Sequence, residues 1–255
     1  TNFNKSDFVL KAINTCLNQK YKNIEIILFD DKSSDQSLKK ILNFKKKNDL
    51  DFRIISNKKK KIFTSPINQF LAIKTSLKFA KGKYVSLLDA DDYFHKNKIF
   101  EIMRVFNRID TKIVLDKPIY KYKKKLIKKN YLNKISENKW PKFPPTSCMT
   151  LEKKTLLKVL NKINFKKFPN LAIDFYIAVY YSIIIKDFYI HNLHLTYYRQ
   201  VSDGTDSNYN KYKNKKWWIR RNEAFEFLNS LLSKNKMPTN QSLDYTLTKF
   251  VSFFL

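Results

Sequence analysis

Three aspartates within four residues, Asp89, Asp91 and Asp92, form the densest concentration of reactive groups in the chain. Carboxylates that close repel one another unless a cation lies between them. A hard divalent ion such as Mg²⁺ or Mn²⁺ meets that need, because it takes one or two carboxylates together with substrate phosphates. An aspartate at such a place also serves simply to cap the next helix. A second acidic pair, Asp30 and Asp31, opens the polar turn Asp30-Asp31-Lys32-Ser33-Ser34-Asp35. A carboxylate there accepts hydrogen bonds from a nucleobase or ribose, or else starts a turn and caps a helix. A third candidate, Asp174, begins an apolar helical stretch, where an acid in the first turn is also favoured by the helix dipole.

The surrounding pattern says what must position these groups. Phe8, Val9, Ala12, Ile13, Cys16 and Leu17 recur at helical spacing, and Ser6 or Asp7 can cap that helix. The run Ile24 to Phe29 is short and mostly apolar, as in a buried parallel strand, and it ends at Asp30. A helix carrying Leu38, Ile41 and Leu42 follows, then a strand over Phe52 to Ser56, a basic loop, and a helix from about Pro66 to Ala80. Gly82 stands just past that helix, where a left-handed cap is expected. The strand Tyr84 to Leu88 then runs into Asp89. Such alternation predicts an open α/β sheet, with mostly parallel strands, whose ligands lie outside the carboxyl ends of the strands. Both acidic clusters occupy such ends. Residues 112 to 150 are less regular, with a Lys/Tyr-rich hairpin and then Trp140-Pro141-Lys142-Phe143-Pro144-Pro145. A helix near Asp174, a strand over His191 to Gln200 and two amphipathic helices after residue 210 complete the reading.

With 255 residues, 43% of them hydrophobic and including 21 Phe and 15 Tyr, the chain can bury one large core. The charge is extreme: 51 Lys and Arg against 22 Asp and Glu, a formal +29. That attracts nucleic acid, anionic lipid or phosphorylated substrates, yet the lysines are scattered in short runs such as Lys58 to Lys61 and Lys123 to Lys125. Cys16 and Cys148 are the only cysteines and lack zinc or CxxC spacing, which favours a reduced, cytoplasmic setting. The longest nearly apolar run, Phe175 to Ile185, is far short of the ~20 residues of a spanning helix.

The segments Phe3 to Asp7, Gln19 to Asp35 and Ala80 to Asp92 together resemble the family 2 glycosyltransferases of GT-A fold. The last of them resembles that family's strand leading into its DxD motif. The resemblance implies a single GT-A, Rossmann-like domain over residues 1–209, its first strand truncated before Phe3, with a helical extension over 210–255. It also implies roles. Thr1 and Phe3 lie where the first strand meets the nucleotide, and Asp31 contacts the base while Asp30 supports the loop. Asp91 and Asp92 bracket the diphosphate and a Mn²⁺ or Mg²⁺ ion, with Asp92 the preferred direct ligand. Asp174 deprotonates the acceptor hydroxyl, and Tyr198-Arg199 resembles a Tyr-Arg pair that ends the catalytic domain. Three departures stand out. Ile73-Lys74 occupies the place of an Arg-Asn pair, which puts Lys74 in the donor site; Ile173 stands for a Glu; and Val201 or Ser202 stands for a His.

The expected function is therefore an inverting transfer of a sugar from a nucleoside diphosphate sugar to a hydroxyl of a glycan or lipid-linked glycan in cell-surface polysaccharide synthesis. One alternative is a basic nucleic-acid-binding protein, but it leaves two acidic strand ends unexplained and no reader motif is visible, so no nucleic-acid partner is expected. Another is a sugar-nucleotide-binding domain without catalysis. The expected location is cytoplasmic, with peripheral attachment to the inner face of the membrane as a further option. Lys211 to Arg221 sets Trp217 and Trp218 among six Lys and Arg, which suits an anionic membrane interface; packing of the same aromatics on the catalytic domain is the competing expectation.

Overall fold

The computed structural model describes residues 1–57, 63–131, 140, 142–200, 212 and 214–254. The basic run at 58–61, the stand-ins at 201 and 202, the 209/210 boundary, and Lys211 and Lys213 lie outside those residues.

Strand and helix alternate as the apolar spacing requires: α1 (Val9–Leu17), β1 (Ile27–Asp30), α2 (Ser37–Lys47), β2 (Arg53–Ser56), α3 (Ser65–Leu77) and β3 (Tyr84–Ser86). Then come β4 (Tyr93–Phe94), α4 (Lys98–Arg108), β5 (Ile113–Tyr122), β6 (Lys125–Lys128), β7 (Met149–Glu152), α5 (Lys153–Lys162), α6 (Ile173–Val179) and β8 (Tyr189–Arg199). Two helices follow, α7 (Lys215–Lys234) and α8 (Leu243–Phe254). Pro66 sits in the first turn of α3, where its missing N–H has no helical acceptor to lose. The Lys/Tyr-rich stretch is the β5–β6 hairpin, turned through Lys123 in a left-handed conformation at φ 48°.

The sheet is mixed rather than mostly parallel. β1 pairs with β2 in parallel, and β5 with β8 in parallel, but β3–β7, β5–β7, β4–β8 and β5–β6 are antiparallel. The strand order is β3-β7-β5-β8-β4 around the long central β5. The apolar runs of the first 90 residues do read as parallel strands. Apart from the β5–β6 hairpin, the antiparallel half is built from segments distant in sequence, such as β3 with β7 and β4 with β8, whose direction no local spacing reveals.

Thr1 and Asn2 join the two parts. The Asn2 N–H donates to Phe29 O and Asn2 O accepts from the Asp31 N–H, while Thr1 N donates to Leu88 O and Thr1 O accepts from the Ala90 N–H. Upstream of that bridge, a cavity of about 500 Å³ separates β1 from β3, walled largely by apolar residues such as Val9, Ile13, Phe29, Ile73, Leu87 and Ile102. A nucleoside diphosphate does not suit so apolar a wall.

Gly82 is not in the expected left-handed cap, since no described glycine has positive φ, and α3 ends at Leu77. Its reason is close approach instead. The backbone N–H groups of Lys81 and Gly82 both donate to Glu25 Oε1, and a Cβ on Gly82 would meet Tyr84 O at 3.3 Å.

The main core lies between the sheet and α3, α5, α6 and α7. Phe227 of α7 packs among Phe168, Phe175, Tyr176 and Tyr180, with ring centroids 4.7 to 6.4 Å apart. The first helix of the tail is thus part of the main core, and α8 packs outside it. Among the described residues no helix is long and apolar enough to cross a membrane.

Candidate functional site

Strand ends β1 and β3 carry the two acidic clusters, and Thr1-Asn2 lies between them. On the first side Asp30 is fully buried, with its Oδ1 accepting from Asn2 Nδ2 at 2.6 Å and Ser33 Oγ at 2.7 Å, and its Oδ2 accepting from Ser33 N at 3.1 Å. It is spent on the loop. Asp31, 8% exposed, accepts from Asn57 Nδ2 at 2.9 Å through Oδ1. The turn between them and α2 passes through Lys32 at φ 55°, a left-handed residue that lets the chain reverse tightly. Asn4 Oδ1 accepts from Ser34 N at 2.7 Å, so the segment after Thr1 is laced to this turn. Phe3, in that segment, leaves 43% of its surface exposed.

On the other side, Asp89 Oδ1 accepts from Thr1 Oγ1 and from Gln69 Nε2, both at 2.8 Å. Asp91 faces Lys5, whose Nζ is 3.4 Å from Oδ2. Burial pushes the Asp91 pKa up, the Asp89 charge adds to the rise, and Lys5 opposes it. Asp92 is 1% exposed. Its Oδ2 accepts from Ser147 Oγ at 2.6 Å and its Oδ1 from the Arg199 N–H at 2.7 Å. Burial raises its pKa well above the ordinary value, helped by the charges of Asp91 and Asp89 and opposed by those two hydrogen bonds. Arg199 Nε donates to Asp91 O at 2.7 Å, its guanidinium lies 4.4 Å from the Phe8 ring centroid, and its buried Nη2 has no hydrogen-bond partner among the described residues.

Ser147 holds this cluster from below. It sits in the 3₁₀ turn Thr146–Cys148 ahead of β7, accepts from Asp89 N at 3.1 Å and donates to Asp92. Its carbonyl accepts from Lys98 Nζ at 2.6 Å, and Lys98 is itself ion-paired with Asp116 at 2.7 Å, both side chains wholly buried. Sequence reading missed Lys5, Ser147, Lys98 and Asn2. None has a local signal, because each acts through a partner 28 or more residues away.

The remaining expected residues are placed differently. Lys74 is on α3 five residues from Gln69, about 140° around the helix, so it does not share the face that reaches Asp89. Asp174 lies in the first turn of α6, half-buried, with Oδ1 accepting from the Phe175 N–H at 2.8 Å. Its charge reaches Tyr131, whose pKa is raised by burial first and by Asp174 among lesser causes. The Tyr131 hydroxyl is 3.1 Å from that of Tyr120, and Tyr120 packs edge-on against Tyr198, the neighbour of Arg199.

A parallel strand pair ending in carboxylates, joined to a mixed sheet whose turn ends in Asp-x-Asp, defines the GT-A class of nucleotide-sugar transferase domains. Comparison with known proteins agrees. The model for "Glycosyl transferase family 2" matches residues 1–175, and the chain belongs to that family. An uncharacterized glycosyltransferase of Haemophilus influenzae is 36% identical over 99 residues, covering 38% of this chain and 36% of that relative. The chain thus spans about a third of that relative's length. The Escherichia coli UDP-Glc:α-D-GlcNAc-diphosphoundecaprenol β-1,3-glucosyltransferase WfaP is 27% identical over 223 residues, 81% of this chain and 77% of WfaP. The fold matches Staphylococcus aureus TarS 1–349 in complex with UDP-GlcNAc at a TM-score of 0.61, with 16% identity over 91% of this chain and 71% of that one.

Proposed function

We propose that the chain is a metal-dependent, inverting glycosyltransferase that moves a sugar from a nucleoside diphosphate sugar to a hydroxyl of a glycan or lipid-linked glycan, in cell-surface polysaccharide synthesis. The observation that carries this reading is the meeting of two acidic strand ends at Thr1-Asn2, with Lys5 and the unpartnered Nη2 of Arg199 beside Asp91. The names of similar proteins favour a UDP-sugar donor and a diphosphate-lipid acceptor: WfaP uses UDP-Glc and a GlcNAc-diphosphoundecaprenol, and TarS is seen with UDP-GlcNAc.

In this reading Asp31 accepts from the base and the Phe3 ring stacks near it, while Asp30 keeps the turn in shape. Among the described residues no group of three His, Cys, Asp or Glu could hold a metal alone. A Mn²⁺ or Mg²⁺ ion here would be held by one or two carboxylates and completed by phosphate oxygens of the donor. Asp91 is the direct ligand, because both oxygens of Asp92 are already committed to Ser147 and Arg199. Bound Mn²⁺ or Mg²⁺ supplies positive charge against the departing diphosphate. Lys5 and Arg199 add fixed positive charge at the same place. Asp174 takes the proton of the acceptor hydroxyl as its oxygen attacks the anomeric carbon, and the bond to the nucleoside diphosphate breaks with its electrons. A single displacement inverts the configuration.

The test is a thermal-shift panel of nucleoside diphosphate sugars with and without Mn²⁺. A ligand at a hundred times its Kd stabilises the folded form by about 2.7 kcal/mol. For a domain of this size that is about 5–11 °C. The expected result is a rise with one nucleotide class that depends on Mn²⁺. A flat panel with either metal ion refutes the donor site.

A further inference from the structure

Helix α8 is turned the wrong way for a helix facing water. Two of its polar residues point inward, Tyr245 donating its hydroxyl hydrogen bond to Glu226 Oε1 at 2.7 Å and Thr248 wholly buried, while Asp244, Thr246 and Lys249 are exposed. Leu243, Leu247, Phe250 and Phe254 follow the i, i+4, i+7, i+11 spacing of one helical face. They are 90%, 55%, 63% and 70% exposed, and Phe253 beside them is 82% exposed. The apolar stripe of this helix therefore faces outward.

The charges around it are sorted by sign. Residues 210–255 contain nine Lys and Arg against Glu223, Glu226 and Asp244. Each of the three acids has a partner: Glu223 is tied to Asn170 at 2.6 and 2.8 Å, Glu226 to Tyr245, and the exposed Asp244 to Arg221. Lys215, Lys216, Lys234, Lys236 and Lys249 are exposed, and Lys249 adjoins the apolar stripe on α8. The paired indoles, by contrast, are used within the fold. Trp218 is 8% exposed and donates through Nε1 to Tyr212 O at 2.9 Å, while Trp217 is half-buried under Arg221.

We propose that the outward face of α8, formed by Leu243, Leu247, Phe250, Phe253 and Phe254, is a docking face for an anionic lipid surface, on which the helix lies flat. Twelve residues make about 18 Å of helix, too short to cross a ~30 Å hydrocarbon layer but suited to the interface plane. Charge complementarity selects the occupant. An anionic bilayer attracts the exposed lysines, whereas a second copy carrying the same +29 repels this one. The inference deepens the functional reading, since a face bound to lipid brings the active site to a lipid-linked acceptor.

The test is co-sedimentation of the full chain with phosphatidylglycerol/phosphatidylcholine vesicles and with phosphatidylcholine vesicles alone. The variants are Phe250→Ser with Phe253→Ser, and Lys249→Glu. The altered side chains are exposed, and an unchanged melting temperature checks that each variant folds. The expected result is binding to the anionic vesicles that weakens about tenfold or more in the Phe pair and fades with salt. A Phe250→Trp variant should show a blue shift of its emission only with anionic vesicles. Binding of the Phe pair equal to the parent chain, or no binding by the parent, overturns the proposal. So does a parent dimer in sedimentation velocity that the Phe pair dissolves, because the face is then a protein interface. The vesicles contain neither donor nor acceptor, so this outcome is independent of the thermal-shift test of the donor site.

Discussion

Replacing Lys98 by Met tests how the acidic cluster is held. Lys98 Nζ, wholly buried, sits 2.7 Å from Asp116 Oδ1 and donates to Ser147 O at 2.6 Å and Thr196 Oγ1 at 2.7 Å. It also lies 4.0 Å from the Phe94 ring centroid. Met keeps the apolar stem packed but leaves Asp116 buried without its counter-charge and the Ser147 carbonyl without its strongest donor. Removing one partner of a buried ion pair costs about 3–5 kcal/mol. At about 2–4 °C per kcal/mol for a domain this large, the melting temperature should fall by about 6–20 °C. Burial already raises the Asp116 pKa, and Lys98 is the first cause opposing that rise. A carboxyl whose folded pKa is raised costs stability as pH climbs above its unfolded value of about 3.9. Without Lys98 the folded pKa rises further, so the deficit of Lys98→Met against the parent should be constant at low pH and grow only once the pH climbs above the parent's own raised Asp116 value. Circular-dichroism melts at several pH values give both numbers. Changing both residues, Lys98→Met with Asp116→Leu, removes the buried charges together and should recover most of the loss. A single variant that loses less than about 1 kcal/mol, or a double variant no better than the single, refutes the coupling.

Asp91→Asn should abolish Mn²⁺-dependent binding of a nucleoside diphosphate in titration calorimetry, while Asp92→Asn, altering a buried acceptor of Ser147 and Arg199, should lower the melting temperature more than Asp91→Asn does. Metal-dependent binding should weaken on acidification while the pH is still above the ordinary carboxylate range, since burial and then Asp89 raise the Asp91 pKa and the metal needs the charged form; binding constant down to pH 4, an ordinary carboxylate value, would show Asp91 is not the ligand. Asp174→Asn should lower turnover by about 10²-fold or more with donor affinity unchanged, measured as released nucleoside diphosphate. Phe227→Ala should destabilise by about 3–5 kcal/mol, read in urea unfolding, because its ring fills the space among Phe168, Phe175, Tyr176 and Tyr180.

The first 90 residues were legible because their structure is local. A buried strand must be apolar along its whole length, and a helix over it must be apolar on one stripe, so β1, β3, α1 and α3 announce themselves. The strand pairing of the second half did not, because β5 takes one neighbour, β7, antiparallel and another, β8, parallel, and the partners of Leu115 are Met149 and Ile190. Gly82 shows a subtler failure. Glycine after a helix commonly takes positive φ, but here the close approach is of the Tyr84 carbonyl, while Glu25, 57 positions away, accepts from the Gly82 N–H.

The candidate site divides along the same line. Carboxylates at strand ends are readable, because their chemistry and their place in the sheet both follow from the short runs before them. What each one does was not readable, since exposure decides it. Asp91 and Asp92 are adjacent and identical in type, and sequence alone favoured Asp92 as ligand. The fold makes them unequal through Ser147 and Arg199, which lie 55 and 107 residues away and use both oxygens of Asp92. Asp91 instead meets the Lys5 ammonium at 3.4 Å, and no hydrogen bond from Ser147 or the Arg199 N–H holds its oxygens. The carboxylate with fewer fixed partners is the one free to change partners when substrate arrives, and for that asymmetry the proposed reading takes Asp91 as the working ligand and Asp92 as its support.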